Sequence, residues 1–200
     1  TRRRYKRFAN GGAGLIWMEA IAVEEAGRAN KSQLYLKKEN LSEFKKLIEL
    51  IENESKVDPY LVAQLTHSGR FGENNIIAFR DSDLDPVSIS ENDFHLITDS
   101  ELDQLQLDYL KAAELAAEAG FDAVDIKSCH RYLLSSLLAA FDRKGKYGGS
   151  YENRTRFLKE TIKKVKENVD IDITVRLSIY DAIPGGWATD QNGNPDLKES

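Results

Sequence analysis

The sequence predicts an α/β fold on a parallel sheet, and within that class it favours part of a (β/α)₈ TIM barrel. Short apolar runs alternate with longer segments whose apolar residues recur at helical spacing. Strands and helices in alternation form parallel sheets with right-handed crossovers. A doubly wound sheet and a barrel both satisfy this pattern, so the position of the polar residues must distinguish them. The predicted strands are Gly14–Val23, Tyr60–Thr66, Ala123–Ser128 and Ile173–Ser178.

Polar side chains lie near the carboxyl end of every predicted strand, which favours the barrel. Barrel enzymes collect their chemistry at this end of the sheet. A doubly wound sheet would concentrate it where the strand order reverses, and no G-x-G-x-x-G follows any of these strands. The polar residues are Glu19, then Gln64 with His67, then Lys127 with His130, and finally Arg176.

Four strands do not close a barrel of this type, which takes about eight. We therefore expect residues 1–200 to be the central part of a single barrel domain whose N- and C-terminal parts are absent. Such a piece should expose strand edges and an apolar barrel interior.

Helix boundaries follow from local signals. Asn40 suits the start of the first helix, Thr98 and Glu101 have the spacing of a capping box, and Gly120 suits a helix end. The basic segment TRRRYKRF at the N-terminus is interpreted as the end of a helix. The predicted helices are Leu41–Asn53, Ser100–Ala119 and Tyr151–Val169.

Composition excludes several functions. A net charge of −5 argues against binding to nucleic acid, which needs clustered Lys and Arg. The sequence contains no run of about 18 apolar residues, so no membrane span is predicted. The single cysteine, Cys129, rules out an internal disulfide framework and suits the reducing cytoplasm; we interpret it as a packed side chain. The three histidines do not fall at metal-ligand spacing, so no metal site is predicted.

The segment DIKSCHRYLL carries the strongest catalytic signal. Lys127 lies in an apolar strand, where an ammonium group is costly to bury unless it is paired or faces a polar cavity. Lys127 and His130 together could donate hydrogen bonds to an electron-rich oxygen, and Tyr132 offers a phenol as proton donor. The alternative is a surface lysine at a strand end followed by a helix-capping histidine.

Gln64 and Arg176 suggest a binding site on neighbouring strands. The Gln64 amide can donate and accept at once, as recognition of the edge of a flat heterocyclic imide requires. Arg176 lies in an apolar run, so a buried, negatively charged partner is expected. The alternatives are a solvent-facing glutamine and a structural ion pair with an acid on the next strand.

The segment YGGSYENRTRF predicts a tight turn at Gly148 and Gly149 followed by a helix that Ser150 caps. Arg154 and Arg156 are expected to hold loops rather than ligands.

Taken together, these segments resemble the old yellow enzyme family of NADH:flavin oxidoreductases and ene-reductases, from about Arg4 to Asp181. GGAGLIWMEAIAV is similar to the family's second barrel strand, AQLTHSGR to the third and DIKSCHRYLLSSLLAAF to the fourth; YGGSYENRTRF follows, and VRLS is similar to the fifth. The resemblance implies that the chain covers roughly strands two to five. It also implies that the first, seventh and eighth strands, with the flavin phosphate site, lie outside these residues.

The resemblance implies an enzyme that binds FMN and moves hydride from NADH or NADPH, through the flavin, to an activated alkene or related acceptor. Gln64 matches the glutamine at the pyrimidine edge of FMN, and Arg176 matches the arginine near flavin N1 and O2. Ala20 falls where the strand backbone approaches the isoalloxazine. His130 matches the second member of the pair that grips a substrate oxygen, and Tyr132 matches the tyrosine that protonates the substrate.

Two residues depart from the family pattern. Lys127 replaces the first histidine of the substrate-binding pair, and Arg131 replaces the glycine before the tyrosine. Lysine still donates hydrogen bonds, but as a compact cation on a longer stem. We therefore expect a small-molecule substrate with an anionic group, held by Lys127 and His130.

Two other functions remain open at this point. Lys127 could be the nucleophile of a Schiff-base lyase on the same fold, or the chain could be a non-catalytic remnant. The pair Gln64 and Arg176 favours the flavin. The sequence leaves open the choice between NADH and NADPH and whether the protein is a homo-oligomer.

Overall fold

A four-stranded parallel sheet runs through the chain, as the alternation of strands and helices predicts. The structure is a computed structural model and describes residues 1–81, 83, 85 and 93–199. In chain order the strands are β1 (Leu15–Ala22), β2 (Tyr60–Thr66), β3 (Ile76–Ile77), β4 (His95–Leu96), β5 (Ala123–Ile126) and β6 (Asp172–Thr174). The main sheet has the order β1-β2-β5-β6. The helices are α1 (Arg2–Asn10), α2 (Leu41–Glu54), α3 (Asp99–Ala119), α4 (Leu133–Leu138) and α5 (Tyr151–Asn168).

The last two strands of the sheet are shorter than predicted. Regular pairing of β6 stops at Thr174, and beyond it only an isolated bridge joins Ser128 to Leu177. The cause lies in a side chain, because the backbone N–H of Arg176 donates to Oδ1 of Asp125 (2.6 Å) instead of to a ladder carbonyl. With its neighbour ended, β5 stops at Ile126 rather than at the predicted Ser128.

The helices pack on one face of the sheet and form the core there. Phe44, Tyr109 and Phe157 come from three different helices and are buried in one cluster with Ala63 and Val124 of the strands. The predicted cap of α3 is confirmed, since Thr98 Oγ1 accepts from the backbone N–H of Glu101 at 3.2 Å. The predicted helix end is confirmed as well: Gly120 adopts a left-handed φ of 104°, which glycine tolerates without strain.

The opposite face of the sheet, which is the inner face of the barrel, is partly polar. Trp17 and Tyr60 are exposed there, as an open barrel interior predicts. Gln64, Asp125 and Thr174, however, stand side by side across three strands of the same face. The prediction of an apolar interior is therefore wrong toward the carboxyl ends of the strands.

The second sheet is a parallel pair of β3 and β4 outside the barrel sheet. Strands of two residues have no periodicity, so the sequence did not predict them. His95 lies on β4, and its Nε2 is 2.7 Å from a Glu101 carboxylate oxygen. Among the described residues, no helix has the length and apolar character needed to cross a membrane.

The loop before α5 is held by the two arginines that the sequence assigned to it. Arg154 donates from Nε to the Gly149 carbonyl (3.0 Å), and Arg156 donates from Nε to the Lys146 carbonyl (3.0 Å). Ser150 Oγ accepts from the backbone N–H of Asn153 at 3.3 Å. The predicted loop-holding and capping roles are confirmed.

We expect Gly148→Ala to destabilise the protein, because an added Cβ would overlap the backbone carbonyl oxygen of Arg143. Steric overlap of this kind costs about 1–3 kcal/mol, measurable as a lower urea midpoint. Gly14→Ala is the matched control, since no atom lies within 4 Å of its added Cβ. Equal midpoints for the two variants would show that the Gly148 turn has room for a side chain.

Candidate active site

A cleft of about 570 Å³ opens on the inner face of the sheet, at the carboxyl ends of the strands. Gln64 of β2 and Arg176, which follows β6, both line it, although the two residues are distant in the chain. The two residues reach one cleft because their strands, β2 and β6, both pair with β5 in the sheet. The lining residues are Trp17, Met18, Glu19, Gln64, Val175, Arg176 and Leu177.

Asp125, which the sequence interpretation did not single out, lies at the centre of the inner face. Its carboxylate is fully buried and accepts hydrogen bonds from residues of three other strand segments. Gln64 Nε2 donates to Oδ2 at 2.6 Å, and Trp17 Nε1 donates to the same oxygen at 3.3 Å. Thr174 Oγ1 (3.3 Å) and the backbone N–H of Arg176 (2.6 Å) donate to Oδ1.

The guanidinium of Arg176 is available to a ligand. The alternative of a structural ion pair with an acid on the next strand is wrong: the side chain is exposed, and no carboxylate of the described residues forms an ion pair with it. The hydrogen bond from Arg176 to Asp125 comes from the Arg176 backbone N–H and leaves the guanidinium unengaged by that carboxylate. The Arg176 cation therefore lines the cleft without a counter-ion from the described part of the chain.

Lys127 is buried, with 5% of its surface exposed, so the alternative of a surface lysine is wrong. Its Nζ lies 3.7 Å from the centroid of the Tyr132 ring, a cation–π contact. No carboxylate in the described part of the chain pairs with it. Burial lowers the pKa of Lys127; Cys129 opposes this shift and Arg176 adds to it.

His130 and Tyr132 complete a cluster with Lys127. Tyr132 is half-buried at the N-cap of α4, and its ring centroid lies 6.4 Å from that of His130. His130 is exposed, and partial desolvation together with the charges of Lys127 and Arg176 lowers its pKa. The imidazole is therefore neutral near pH 7, while the cationic groups lie beside it.

The turn between Lys127 and Tyr132 explains why glycine suits the position of Arg131. His130 and Arg131 have φ values of 62° and 55°, in the left-handed region that glycine adopts without strain. Arg131 tolerates this conformation and places a cation near Asp181. Burial raises the pKa of Asp181, while the Trp187 N–H and Arg131 lower it. Part of the positive charge of Arg131 is thus directed at Asp181.

Ala20 lies beside the cleft without lining it. The β1 residues of the lining are Trp17, Met18 and Glu19, and pairing of β1 with β2 becomes irregular between Met18 and Ile21. The Ala20 carbonyl accepts from Gln33 Nε2 at 3.1 Å. A cofactor contact through Ala20 remains a prediction.

His67 has a structural environment. It is buried, its Nδ1 accepts from the backbone N–H of Gly69 at 3.0 Å, and its Nε2 lies 3.0 Å from a Glu24 carboxylate oxygen. Cys129 is buried, and burial raises the pKa of its thiol, which confirms the interpretation as a packed side chain. Within the described ranges, no three His, Cys, Asp or Glu side chains come together as a metal-binding group.

The fold and the cleft define the class of protein: a TIM-barrel chain with its polar side chains gathered at the carboxyl ends of neighbouring strands. Residues 3–192 match the NADH:flavin oxidoreductase / NADH oxidase family, and the chain belongs to that family. The resemblance to old yellow enzymes is thereby confirmed.

The relatives that match this chain are longer than it is. It is 34% identical over 173 residues to an NADPH dehydrogenase of Clostridium acetobutylicum, covering 82% of this chain and 48% of that protein. It is 35% identical over 181 residues to an NADPH dehydrogenase of Bacillus velezensis, covering 88% of this chain and 52% of the relative. The chain therefore spans about half the length of these curated relatives.

Solved structures confirm the partial barrel. The crystal structure of Old Yellow Enzyme from Pichia sp. AKU4542 superposes with a TM-score of 0.84 at 26% identity, covering 99% of this chain and 55% of that one. A 2-naphthoyl-CoA reductase complex superposes with a TM-score of 0.79 at 24% identity, covering 93% of this chain and 31% of the other. The second likeness shows the fold alone.

Proposed function

We propose that these residues belong to a cytoplasmic, FMN-dependent oxidoreductase that takes reducing equivalents from NADH or NADPH and passes hydride to a small-molecule acceptor. Residues 1–200 would be the central part of its single barrel domain. The observation that carries the proposal is the cleft that joins Gln64 to Arg176 at the carboxyl ends of the strands. Family membership and NADPH dehydrogenase relatives support the same reaction class.

The chemistry of the cleft fits a flavin. A buried amide from Gln64 suits the imide edge of the ring, and the exposed Arg176 cation suits its electron-rich oxygens. Trp17 contributes an aromatic surface to the lining. When bound, the flavin supplies the hydride chemistry, while the protein binds, orients and sets the local charge.

The cluster of Lys127, His130 and Tyr132 would hold the acceptor. Lys127 is a buried cation, and no carboxylate of the described residues pairs with it. An anionic or carbonyl oxygen of the substrate would therefore accept its hydrogen bond. His130, being neutral near pH 7, would donate one N–H to the same oxygen. Tyr132 would protonate the carbon next to that group. We therefore propose an activated alkene bearing a carboxylate or carbonyl group as acceptor.

A Schiff-base lyase is the second candidate, and one observation favours it. Burial lowers the pKa of Lys127, and a lysine must lose its proton to attack a carbonyl. The cleft at Gln64 and Arg176 has no role in that reaction, which is why we prefer the flavin.

The full-length protein should purify yellow with bound FMN, and an absorption spectrum measures this directly. The 200 residues alone should bind FMN poorly, since the resemblance implies that the strands holding the flavin phosphate lie outside them. Full-length protein that is colourless and takes up no FMN on reconstitution would overturn the proposed function.

A further inference from the structure

We infer that Asp125 is a positioning residue, which sets the direction of the Gln64 amide and so decides which atom the cleft presents to the ring of a bound ligand. The inference rests on the proposed function, because the ligand in question is the flavin. It concerns a residue that does not line the cleft itself: the lining includes Gln64 and Arg176 but not Asp125.

The register of the parallel strands places the Asp125 side chain beside the Gln64 side chain. Gln64 is in register with Asp125, and Asp125 is in register with Thr174, so the three side chains stand in one row on the inner face. Asp125 is fully buried, and within the described residues its carboxylate accepts from four donors: Gln64, Trp17, Thr174 and the Arg176 backbone. Both oxygens are therefore engaged, each by two donors.

A carboxylate that receives four donors only accepts, so the Gln64 atom that faces it must be the amide nitrogen. The Gln64 carbonyl oxygen is then left to point away from Asp125, toward the cleft. A hydrogen-bond acceptor at this point complements the imide N–H of a flavin ring. The reversed amide would set a donor against that N–H and leave both unsatisfied.

The same carboxylate also anchors the second cleft residue. The backbone N–H of Arg176 lies 2.6 Å from Oδ1, at the point where regular β6 pairing has ended. Asp125 thus fixes the chain at the place where the Arg176 side chain leaves the sheet. Asp125 therefore positions both residues proposed to contact the flavin ring: Gln64, which is neutral, and Arg176, which is cationic.

The test is Asp125→Asn in the full-length protein, an isosteric change that replaces one acceptor with a donor. The Arg176 backbone N–H cannot reverse, so the oxygen of the introduced amide must stay on that side and its NH₂ must face Gln64. Gln64 then turns its own oxygen toward the introduced NH₂ and its own NH₂ toward the cleft. Fluorescence titration of the apoprotein with FMN should show binding weaker by about ten- to a hundredfold.

The double variant that combines Gln64→Glu with Asp125→Asn separates positioning from a general structural role. It moves the negative charge by one strand without changing the net charge. The introduced amide can donate to the introduced carboxylate, whose other oxygen again offers the cleft an acceptor. Most of the lost FMN affinity should return, although the 3.3 Å bond from Trp17 is lost. Gln64→Glu alone, which sets two carboxylates face to face, should bind FMN poorly.

Each outcome decides one question. Wild-type protein that binds no FMN contradicts the proposed function. Wild-type protein that binds FMN, together with an Asp125→Asn variant of equal affinity or a double variant without recovery, overturns the role of Asp125. Should Asp125→Asn fail to fold by circular dichroism, recovery in a folded double variant supports the inference. Loss of folding in both variants makes Asp125 a fold residue only and overturns it.

Discussion

Tyr132→Phe in the full-length protein is expected to slow the half-reaction with an alkene by about 10²–10⁴-fold, the usual contribution of a general acid. The half-reaction with nicotinamide should keep its rate, because it needs no proton at that position. The substitution removes only the hydroxyl. Stopped-flow absorbance measures the two half-reactions separately.

The structure indicates that this substitution leaves the packing of the aromatic ring unchanged. The Tyr132 ring packs beside Phe71, with centroids 5.9 Å apart, and Lys127 Nζ lies over its face, so a phenylalanine keeps the same ring contacts. Tyr151→Phe is the matched control, since Tyr151 also carries a lysine over its ring (Lys159, 5.1 Å) but lies on α5, away from the cleft. Equal slowing of both half-reactions, or none, would give Tyr132 a packing role instead.

Lys127→His is expected to lower activity on the native substrate by about ten- to a hundredfold while FMN stays bound, because one charge-assisted hydrogen bond is worth roughly 1.5–3 kcal/mol. The variant should also shift preference toward neutral enones, since histidine is the family residue at this position. Steady-state kinetics with a carboxylate-bearing alkene and a neutral enone measure the change. Lys159→His provides a control at another lysine–tyrosine contact, on α5.

The pH dependence follows from the same lysine. We call Lys127 a clamp if its charged amine binds the anionic group of the substrate. This role requires the protonated amine, and burial lowers the pKa of Lys127. The KM for an anionic substrate should therefore rise as pH increases through this lowered pKa, before an ordinary lysine would lose its proton. In Lys127→His this rise should disappear.

Three outcomes distinguish the roles of Lys127. A clamp gives the altered substrate preference described above. A nucleophile gives irreversible trapping by borohydride in the presence of a carbonyl substrate, and Lys127→His abolishes activity. An unchanged substrate profile in Lys127→His would contradict the clamp and leave Lys127 as a cation that only packs against Tyr132.

Local patterns in the sequence were sufficient for the long helices and for the presence of the four barrel strands. The Thr98 and Glu101 pair starts α3 as predicted, Gly120 ends it, and β2 has the predicted bounds Tyr60–Thr66. These features depend on neighbours a few residues apart, whose spacing the sequence displays directly. The positions of Gln64, Lys127 and Arg176 near strand ends could be predicted for the same reason, because an isolated polar residue in an apolar run is visible locally.

Only the tertiary structure decided how these residues act on one another. Asp125 is also a polar residue within an apolar strand, so a signal was present, but its four donors come from segments as far as 108 residues away. Sheet register brings those segments together, and no local spacing encodes it. The same register left Arg176 without an acidic partner among the residues that the structure describes. It also buried Lys127 against Tyr132 and placed His67 beside Glu24. The sequence by itself determined which chemical groups reach the carboxyl end of the sheet, and the packing of distant strands determined their partners, burial and charge.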